Sequence, residues 1–361
     1  MLGFGSFSTM RVGIFDPYLD SLGGGERYTL TLAEHLSKNH QVEIFWDDEV
    51  RKGHIRRRLF LNLDKTRFVN NIFVREKNLL EKLIKTSQYD LIFYLSDGSI
   101  PTSFAKKNIL HFQTPFTRIN GKTFLNKIKL TRFHRVVCNS FFTKKFIDKT
   151  YGVESTVIYP PVDVASFIPQ RKNNLILTVG RFTGFFESKK QEIMIKIFKK
   201  MVDEGLSGWK FILIGGLLES DRKFFRKLES ETFGYPIRLL PNLPFVELKK
   251  YYGQAKIYWH ANGFGENENK NPELFEHFGI SCVEAMAAGD VPIVYNGGGL
   301  KEIVAKESGL LWLKGEELQN LTLGLITNEN DFFRLSKEAQ KRAQDFSKEV
   351  FLRRFDEVLT K

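Results

Sequence analysis

Two glutamates, Glu276 and Glu284, have the side chains and the setting best suited to chemistry on a phosphorylated substrate. A polar, glycine-rich loop leads from Trp259 to Glu276, and an apolar, alanine-rich run at 280–288 ends at Gly289. This run predicts a short helix with the glycine at its C-terminal cap. Free backbone N–H groups at the start of such a helix bind phosphate, and a carboxylate on each side can accept hydrogen bonds from hydroxyl groups. The arrangement fits a nucleotide-sugar, in which a diphosphate lies between a sugar and a ribose.

Three basic residues form a second group of candidates. Arg181 ends a predicted strand, and Lys189 and Lys190 open the predicted helix that follows, so their charges converge at one edge of a sheet. Cations in this position would screen a diphosphate and stabilise it as a leaving group. The long connection at 182–188 leaves open which lysine has this role, and a solvated surface cluster is the alternative interpretation.

The whole run at 259–302 resembles one enzyme family. Its centre, Glu276-His-Phe-Gly-Ile-Ser-Cys-Val-Glu284, is similar to the Glu-x7-Glu signature of retaining GT-B glycosyltransferases of family 4, the glycosyl transferases group 1, a family rich in mannosyltransferases. The flanking Trp259-His-Ala-x-Gly-Phe-Gly-Glu and Pro292-Ile-Val-x-x-x-Gly-Gly-x-x-Glu302 also look like this family. The resemblance implies an α/β protein of GT-B fold, with two Rossmann-like, doubly wound parallel-sheet domains facing an interdomain cleft.

The resemblance also implies roles for the candidates in the C-terminal half. Glu276 would face the sugar hydroxyls and the positively charged transition state, and Glu284 would bind the ribose. Arg181 with Lys189, or with Lys190, matches the phosphate-binding pair of the family. The backbone amides expected to hold sugar and phosphate are those of Phe278, Gly279 and Ile280.

In the N-terminal half the resemblance selects three short segments. Gly24 and Gly25 lie in a Gly-Gly-x-Glu-Arg turn that would approach the donor phosphates, and Glu26 would brace this loop. His111, in a His-x-x-x-Pro segment at a strand end, would contact a hydroxyl group of the donor sugar. Ser140 matches an Asn-Ser element on the acceptor or loop side. From the residues alone, a structural histidine and a helix-capping serine are the alternatives.

Two α/β domains are needed to position these residues. Strand, glycine turn, helix and strand alternate through residues 1–158, which predicts a Rossmann-like domain on the acceptor side. Tandem prolines and the polar stretch after them predict a linker at 159–174. The alternation restarts at 175–345, the predicted nucleotide-sugar-binding domain. By resemblance, a helix at 346–361 is expected to cross back to the first domain.

The predicted strands and helices follow apolar runs and their periodicity. The predicted strands are 11–16, 41–46, 89–94, 109–112 and 134–138 in the first domain, and 175–181, 209–216, 237–240, 257–259 and 291–295 in the second. The predicted helices are one that ends near residue 38, then 190–204, 222–231, 280–288 and 331–360.

The composition bounds the class of protein. The chain has 361 residues, of which 42% are hydrophobic and 27% charged, as expected of a two-domain globular protein. No apolar run is long enough to span a bilayer, and residues 1–9 lack the pattern of a signal peptide, so a cytoplasmic location is expected. Cys138 and Cys282 lie in apolar patterns and are expected to be buried thiols.

The net charge of +12 indicates an anionic partner, such as a phosphorylated substrate or an anionic lipid. Basic residues cluster at 51–58 and again at 122–135, where they alternate with Phe124, Leu125 and Ile128. Such a pattern suits a helix on an anionic membrane surface and would make the protein peripheral at the inner face of a membrane. A solvated basic face is the alternative interpretation.

Together these features predict a retaining, metal-independent glycosyltransferase. It would transfer a hexose, with mannose from GDP-mannose favoured, to a glycan or lipid-linked glycan. No metal or other cofactor is expected, because the sequence has no Asp-x-Asp and its histidines show no zinc-type pairing with cysteine. Two alternatives stay open: another GT-B-type nucleotide-sugar enzyme, such as an epimerase or phosphorylase, and a basic non-enzymatic protein. The second would bind nucleic acid, but an interleaved aromatic and basic module is missing, so no nucleic-acid partner is expected.

Overall fold

The computed structural model describes residues 9–20, 23–47, 53, 55–56, 59–73, 78–184 and 189–360. The chain splits into two compact units. Unit 1 runs to Pro161 and also contains the chain from Leu352 onward, and unit 2 is Val162–Phe351. Most of the predicted basic cluster at 51–58, and all but the last residue of the predicted extension at 1–9, lie outside the described residues.

Unit 1 is built on a seven-stranded sheet in which all paired strands are parallel, in the order β3-β2-β1-β4-β5-β6-β7. Its strands are β1 Arg11–Phe15, β2 Gln41–Phe45, β3 Thr66–Val69, β4 Leu91–Leu95, β5 Lys107–Phe112, β6 Arg135–Cys138 and β7 Thr156–Val157. Its helices are α1 Gly24–Leu36, α2 Leu79–Thr86, α3 Phe124–Leu130 and α4 Phe141–Tyr151. All five residues of β4 are buried, so the sheet is covered on both faces, as expected for a parallel sheet.

Unit 2 has a six-stranded parallel sheet in the order β10-β9-β8-β11-β12-β13. Its strands are β8 Leu175–Val179, β9 Lys210–Gly215, β10 Ile237–Pro241, β11 Ile257–His260, β12 Val291–Tyr295 and β13 Leu310–Trp312. Its helices are α5 Gln191–Asp203, α6 Arg222–Thr232, α7 Phe245–Gln254, α8 Ile280–Ala287, α9 Leu300–Ile303, α10 Gly315–Thr327 and α11 Glu329–Ala343. The prediction of two parallel-sheet α/β units is confirmed.

The segment after the tandem prolines packs into unit 2. Phe167 is buried, with its ring 5.3 Å from that of Tyr252. Lys172 pairs with the buried carboxylate of Asp290 at 2.6 Å and also donates to the Ala288 carbonyl oxygen. Residues 162–174, which the sequence suggested as linker, therefore lie in the packed unit.

The last helical stretch is broken in two. The predicted helix at 331–360 is α11, a short 3-10 turn at Gln344–Phe346, and α12 Lys348–Thr360. From Leu352 onward α12 belongs to unit 1, where Phe355 is fully buried with its ring 5.8 Å from those of Tyr28 and Phe93. The side chains of His35 and Asp356 lie 3.0 Å apart on the surface of the same unit.

Three further sequence predictions concern the surface and the thiols. Both cysteines are free and buried, as predicted. Among the described residues, no helix is long and apolar enough to cross a membrane. Helix α3 lies in the predicted basic stretch, and the exposed fractions of Phe124, Leu125 and Ile128 on it are 77%, 68% and 50%.

Candidate functional site

The start of α8 is shaped by Gly279. This residue has a φ of +117° and is the N-cap of the helix, and its carbonyl oxygen accepts from the backbone N–H groups of Cys282 and Val283. A Cβ at this position would lie 2.9 Å from Leu300 Cδ2, so both the backbone conformation and the space favour glycine. Phe278 is buried, and its ring packs against that of Phe346 with the centroids 5.5 Å apart.

Glu276 lies on the loop just before this helix, in a cluster of donors. Its Oε2 is 2.8 Å from Lys189 Nζ and 3.2 Å from His260 Nε2, and it accepts a hydrogen bond of 3.5 Å from Asn262 Nδ2. Burial alone would raise the pKa of Glu276, but the Lys189 ammonium and the His260 ring hold it well below its usual range. The carboxylate is therefore ionised at neutral pH.

Lys189 reaches Glu276 by passing close to the backbone at the end of β8. A Cβ at Gly180 would lie 2.7 Å from Lys189 Cγ, so the glycine makes room for the lysine. The side chain of Arg181 is exposed, and its carbonyl oxygen accepts from Gln191 Nε2 at the start of α5. The cations that the sequence grouped together thus lie at the carboxyl end of one strand.

Lys190 contacts a different acid. Its Nζ donates to Glu266 Oε1 at 2.8 Å, and its backbone is left-handed, with a φ of +55°, at the N-cap of α5. A left-handed lysine carries backbone strain, which is common at functional sites. Of the two lysines, Lys189 contacts Glu276 and Lys190 contacts Glu266, and this distinguishes Lys189 for the role beside the sugar.

The loop between β11 and α8 is anchored by its own acids. Besides Glu266, Glu268 takes part, since its Oε2 accepts from Lys301 Nζ at 2.7 Å and from the backbone N–H of Gly298 at 3.2 Å. Gly298 itself has a φ of +62°. The long polar loop is therefore joined to the start of α5 and to the glycine turn before α9.

Glu284 lies inside α8 and is largely buried. Its Oε2 accepts a hydrogen bond of 3.0 Å from the hydroxyl of Tyr252 on α7. The pKa of Tyr252 is raised well above its usual value by burial and by the charge of Glu284, so the phenol keeps its proton and acts as the donor. Tyr252 fixes the orientation of the second carboxylate.

In unit 1 the glycine turn opens α1. Gly24 and Gly25 are its first helical residues, and the backbone N–H of Gly23 donates to Glu26 Oε2, the half of a capping box that needs no N-cap side chain. A Cβ at Gly25 would lie 2.6 Å from Gln113 Oε1. Nε2 of the same glutamine donates to the Gly25 carbonyl oxygen. Glu26 thus contacts the loop that it is expected to brace, and its role there stays a prediction.

His111 is fully buried in β5. Its ring lies 3.9 Å from the Tyr28 ring in a stacked arrangement, and Nδ1 is 3.2 Å from the Val137 carbonyl oxygen. Burial lowers the pKa of His111 to about 3, so the imidazole is neutral, with its proton on Nδ1 facing the carbonyl. Among the described residues, Nε2 has no hydrogen-bond partner. The contact of His111 with a sugar stays a prediction.

Ser140 caps a helix. It is the N-cap of α4, and its Oγ accepts a hydrogen bond of 3.0 Å from the backbone N–H of Thr143. The neighbouring Asn139 donates from Nδ2 to the Gln113 carbonyl oxygen at 3.1 Å. Gln113 therefore links the Asn-Ser element to the glycine turn of α1, and a structural role for Ser140 is seen directly.

Four residues of the site were missed by the sequence analysis. His260 and Asn262 stand in the quoted Trp-His-Ala-x-Gly motif, but nothing in the motif says which atom they face. Tyr252 lies in a segment without a recognisable pattern, whereas Glu266 ends the quoted motif, which does not say that Lys190 would contact it. Proximity of the start of α5 to the loop before α8 could have been inferred only from the parallel order of β8 and β11.

Two protein-family models match the chain. The model described as glycosyl transferases group 1 matches residues 164–343, and the model described as glycosyltransferase family 4 matches residues 22–166. The first contains the cluster around Glu276, and the second contains the glycine turn, His111 and Ser140. Together they extend over most of both units.

The chain is also similar to named proteins. It is 29% identical over 265 residues to the human GDP-Man:Man(3)GlcNAc(2)-PP-Dol alpha-1,2-mannosyltransferase, a match that covers 63% of this chain but only 49% of the human protein. The chain thus spans about half the length of this curated relative.

Two solved structures share the fold. A glycosyltransferase from Rickettsia africae superposes with a TM-score of 0.77 at 18% identity, covering 98% of each chain. Anabaena HepE in complex with UDP gives a TM-score of 0.75 at 17% identity, covering 98% of this chain and all of the other. With the family models and the motif around Glu276, these likenesses assign the chain to the GT-B glycosyltransferases of family 4, the glycosyl transferases group 1.

Proposed function

We propose that this protein is a glycosyltransferase that transfers mannose from GDP-mannose to a glycan or lipid-linked glycan, with retention of configuration and without a metal ion. The observation that carries the proposal is the ionised carboxylate of Glu276, which lies just before α8 and pairs with the Lys189 ammonium. This cluster lies in the unit matched by the group 1 family model. The family membership supports glycosyl transfer, and the human relative's name supports the choice of donor and acceptor.

Each part of the cluster has a task in such a reaction. The exposed Arg181 and the lysines after it offer positive charge to a diphosphate, which stabilises the departing nucleotide. The carboxylate of Glu276 stabilises the positive charge that develops on the sugar ring as the bond to phosphate breaks. Glu284, oriented by Tyr252, accepts hydrogen bonds from ribose hydroxyls. Cationic side chains do here what a metal ion does in other transferases.

The choice of donor is the finer part of the proposal. The human relative is named for GDP-mannose, whereas Anabaena HepE was solved with UDP and with UDP-glucose. The sequence relationship to the mannosyltransferase is the stronger of the two, since the structural neighbours share under a fifth of their residues with this chain. GDP-mannose is therefore the first donor to test.

We also propose that α3 contacts an anionic lipid surface at the inner face of a membrane. Three large apolar side chains on this short helix are exposed, and exposed basic side chains around them are Lys122, Lys127 and Arg132. Apolar residues that insert and lysines that meet lipid phosphates are the two components of peripheral membrane binding. A lipid-linked acceptor would be presented at such a surface, with the protein in the cytoplasm.

The test is transfer to a lipid-linked acceptor by the purified chain, with GDP-mannose, UDP-glucose, UDP-N-acetylglucosamine and ADP-glucose compared in the presence of a chelator. The proposal expects turnover with GDP-mannose and an α-linked product. Turnover with another donor would replace mannose in the proposal, and a β-linked product would exclude retention. A coloured protein with phosphorylase activity, or donor epimerisation without transfer, would favour the alternative nucleotide-sugar enzymes.

A further inference from the structure

Three side-chain nitrogen atoms surround one carboxylate oxygen of Glu276, Oε2, and one of them belongs to His260, the last residue of β11. Lys189 Nζ lies 2.8 Å from Oε2, His260 Nε2 3.2 Å and Asn262 Nδ2 3.5 Å. Among the described residues, none donates to the other carboxylate oxygen, Oε1. Within the described ranges, the protein therefore contacts one oxygen of this carboxylate, Oε2, and no hydrogen bond reaches the other.

The backbone decides which nitrogen of His260 carries the proton. The N–H of Asn262 donates to His260 Nδ1 at 3.3 Å, so Nδ1 acts as an acceptor. The proton of the neutral ring then lies on Nε2, 3.2 Å from Glu276 Oε2, although this N–H is not aligned for a regular hydrogen bond with any described residue. His260 is only 2% exposed, so water competes little for this proton.

We propose that His260 is a positioning residue for Glu276: its Nε2–H attracts Oε2 electrostatically and thereby directs Oε1 toward the transferred sugar. This inference rests on the proposed function, because it assigns a task within that reaction. It adds His260 to the residues of the site and specifies that the ring carries its proton on Nε2. Lys189 keeps the carboxylate ionised, and His260 fixes the rotation of the carboxylate about its terminal bond. The reason is geometric: a flexible ammonium can approach an oxygen from many directions, whereas a buried ring can approach it from only one.

Other titratable groups near Glu276 do not replace His260. Tyr258 on β11 and Cys282 on α8 both feel the charge of the carboxylate, and burial together with that charge raises the pKa of each. Both are therefore neutral in the range in which Glu276 titrates. The charged and donor groups that control the carboxylate are Lys189, His260 and Asn262.

The experiment compares His260→Phe with His260→Gln in the full chain. Phenylalanine keeps the ring and loses the donor, whereas the side-chain amide of glutamine places an N–H close to the position of Nε2. We expect His260→Phe to lower kcat by about ten- to a hundredfold with little change in KM, the usual effect of removing a group that orients a functional side chain. His260→Gln should recover most of this loss. Equal loss in the two variants would overturn the proposal.

A pH profile separates this role from a structural one. Without the Nε2–H the ionised form of Glu276 is less stabilised, so its pKa rises. The acid limb of kcat/KM should therefore lie at higher pH in His260→Phe than in the wild type and His260→Gln. Coincident acid limbs in all three proteins would contradict the proposal, even if kcat fell.

A direct titration works without turnover. The carboxyl carbon of Glu276 can be followed by NMR in protein labelled at glutamate, with its resonance identified by its loss in Glu276→Gln. The same order of pKa values is expected: His260→Phe above the wild type and His260→Gln. A wild type that is inactive with every donor, with this order intact, would reject the proposed function but keep the contact. An active wild type with no pKa difference would reject the contact alone.

Discussion

Lys189 and Glu276 are 87 residues apart in the chain, yet Lys189 Nζ lies 2.8 Å from Glu276 Oε2 in unit 2. The parallel order of the strands brings the start of α5 to the loop before α8, and Gly180 leaves room for the lysine between them. Both side chains are 19% exposed, so solvent screens the pair only in part. The pair holds a carboxylate in its ionised form beside the start of a helix, where phosphate is favoured.

The first prediction concerns this carboxylate. Glu276→Gln keeps the shape of the side chain and removes its charge, so transfer should fall by on the order of 10²–10³ in kcat through lost electrostatic stabilisation. Glu307→Gln, at an exposed position, is the matched control and should keep wild-type turnover. Circular dichroism should show both variants folded. Wild-type turnover by folded Glu276→Gln would remove Glu276 from the mechanism.

The second prediction concerns the orientation of Glu284. Tyr252→Phe deletes the hydroxyl that donates to Glu284, and we expect donor affinity to fall by about three- to tenfold, the value of one hydrogen bond. Tyr251→Phe, next in the same helix, is the control. Donor titration by calorimetry measures both, and equal affinities of the two variants would mean that Tyr252 only fills space.

A third prediction follows from Asp16, which comes directly after β1 and is fully buried. Burial and the nearby charge of Glu26 raise its pKa to about 7, although Thr29 Oγ1 and the Tyr18 backbone N–H donate to it. The folded state therefore binds this proton more tightly than the unfolded chain, whose carboxyl titrates near about 4. The resulting stability is fully present below about pH 4 and is lost as the pH rises through about 7.

Asp16→Asn should accordingly be more stable relative to the wild type at about pH 8 than at about pH 5, because the cost of the buried charge is gone. Chemical unfolding at the two pH values measures this difference. Asp64→Asn, on the surface, should show no such trend. If the stability of Asp16→Asn relative to the wild type instead increased toward acid pH, the pKa of Asp16 would not be raised.

The fourth prediction tests the return of the chain to unit 1. Phe355→Ala empties a fully buried position beside Tyr28 and Phe93, so the free energy of unfolding should fall by about 3–5 kcal/mol. Phe333→Ala removes a ring that is 64% exposed and should cost less than about 0.5 kcal/mol. If both variants unfolded at the same denaturant concentration, Phe355 would not belong to the core of unit 1.

The fifth prediction concerns the exposed face of α3. The double variant Phe124→Ser and Leu125→Ser should bind vesicles containing anionic lipid at least about tenfold more weakly, since two large apolar groups no longer insert. Phe233→Ser, with a ring 89% exposed in unit 2, is the control and should bind as the wild type does. Cosedimentation reports the difference. Undiminished binding would mean that the face serves another purpose or is simply solvated.

Much of this architecture could be predicted from local pattern. The apolar runs of β1 and β4 and the helix between Gly279 and Gly289 are strong signals, and the structure has all three. Two short strands at the two edges of the first sheet, β3 and β7, were missed because four residues or fewer carry no clear alternation. Their place is set by the neighbouring strands rather than by their own sequence.

The contacts of the site were less predictable than its residues. Glu276, Lys189 and Glu284 were recognised from motif and charge, but the partners of these residues depend on tertiary geometry. His260 gave no signal beyond its presence in a motif, because a tautomer depends on one backbone N–H. His111 was placed at a strand end, yet its stacking on Tyr28 depends on how α1 packs over the sheet.

The membership of α12 in unit 1 has a consequence for biosynthesis. The ring of Phe355 completes the apolar layer around Tyr28 and Phe93, but the ribosome makes it only after the whole of unit 2. Domains usually fold as units, with the N-terminal one first, as the chain emerges. Here unit 1 can be completed only when α12 has been made. The apolar surface of unit 1 that α12 covers stays exposed while unit 2 is synthesised. Unit 2 can finish folding first, and chaperone demand should concentrate on the nascent N-terminal unit.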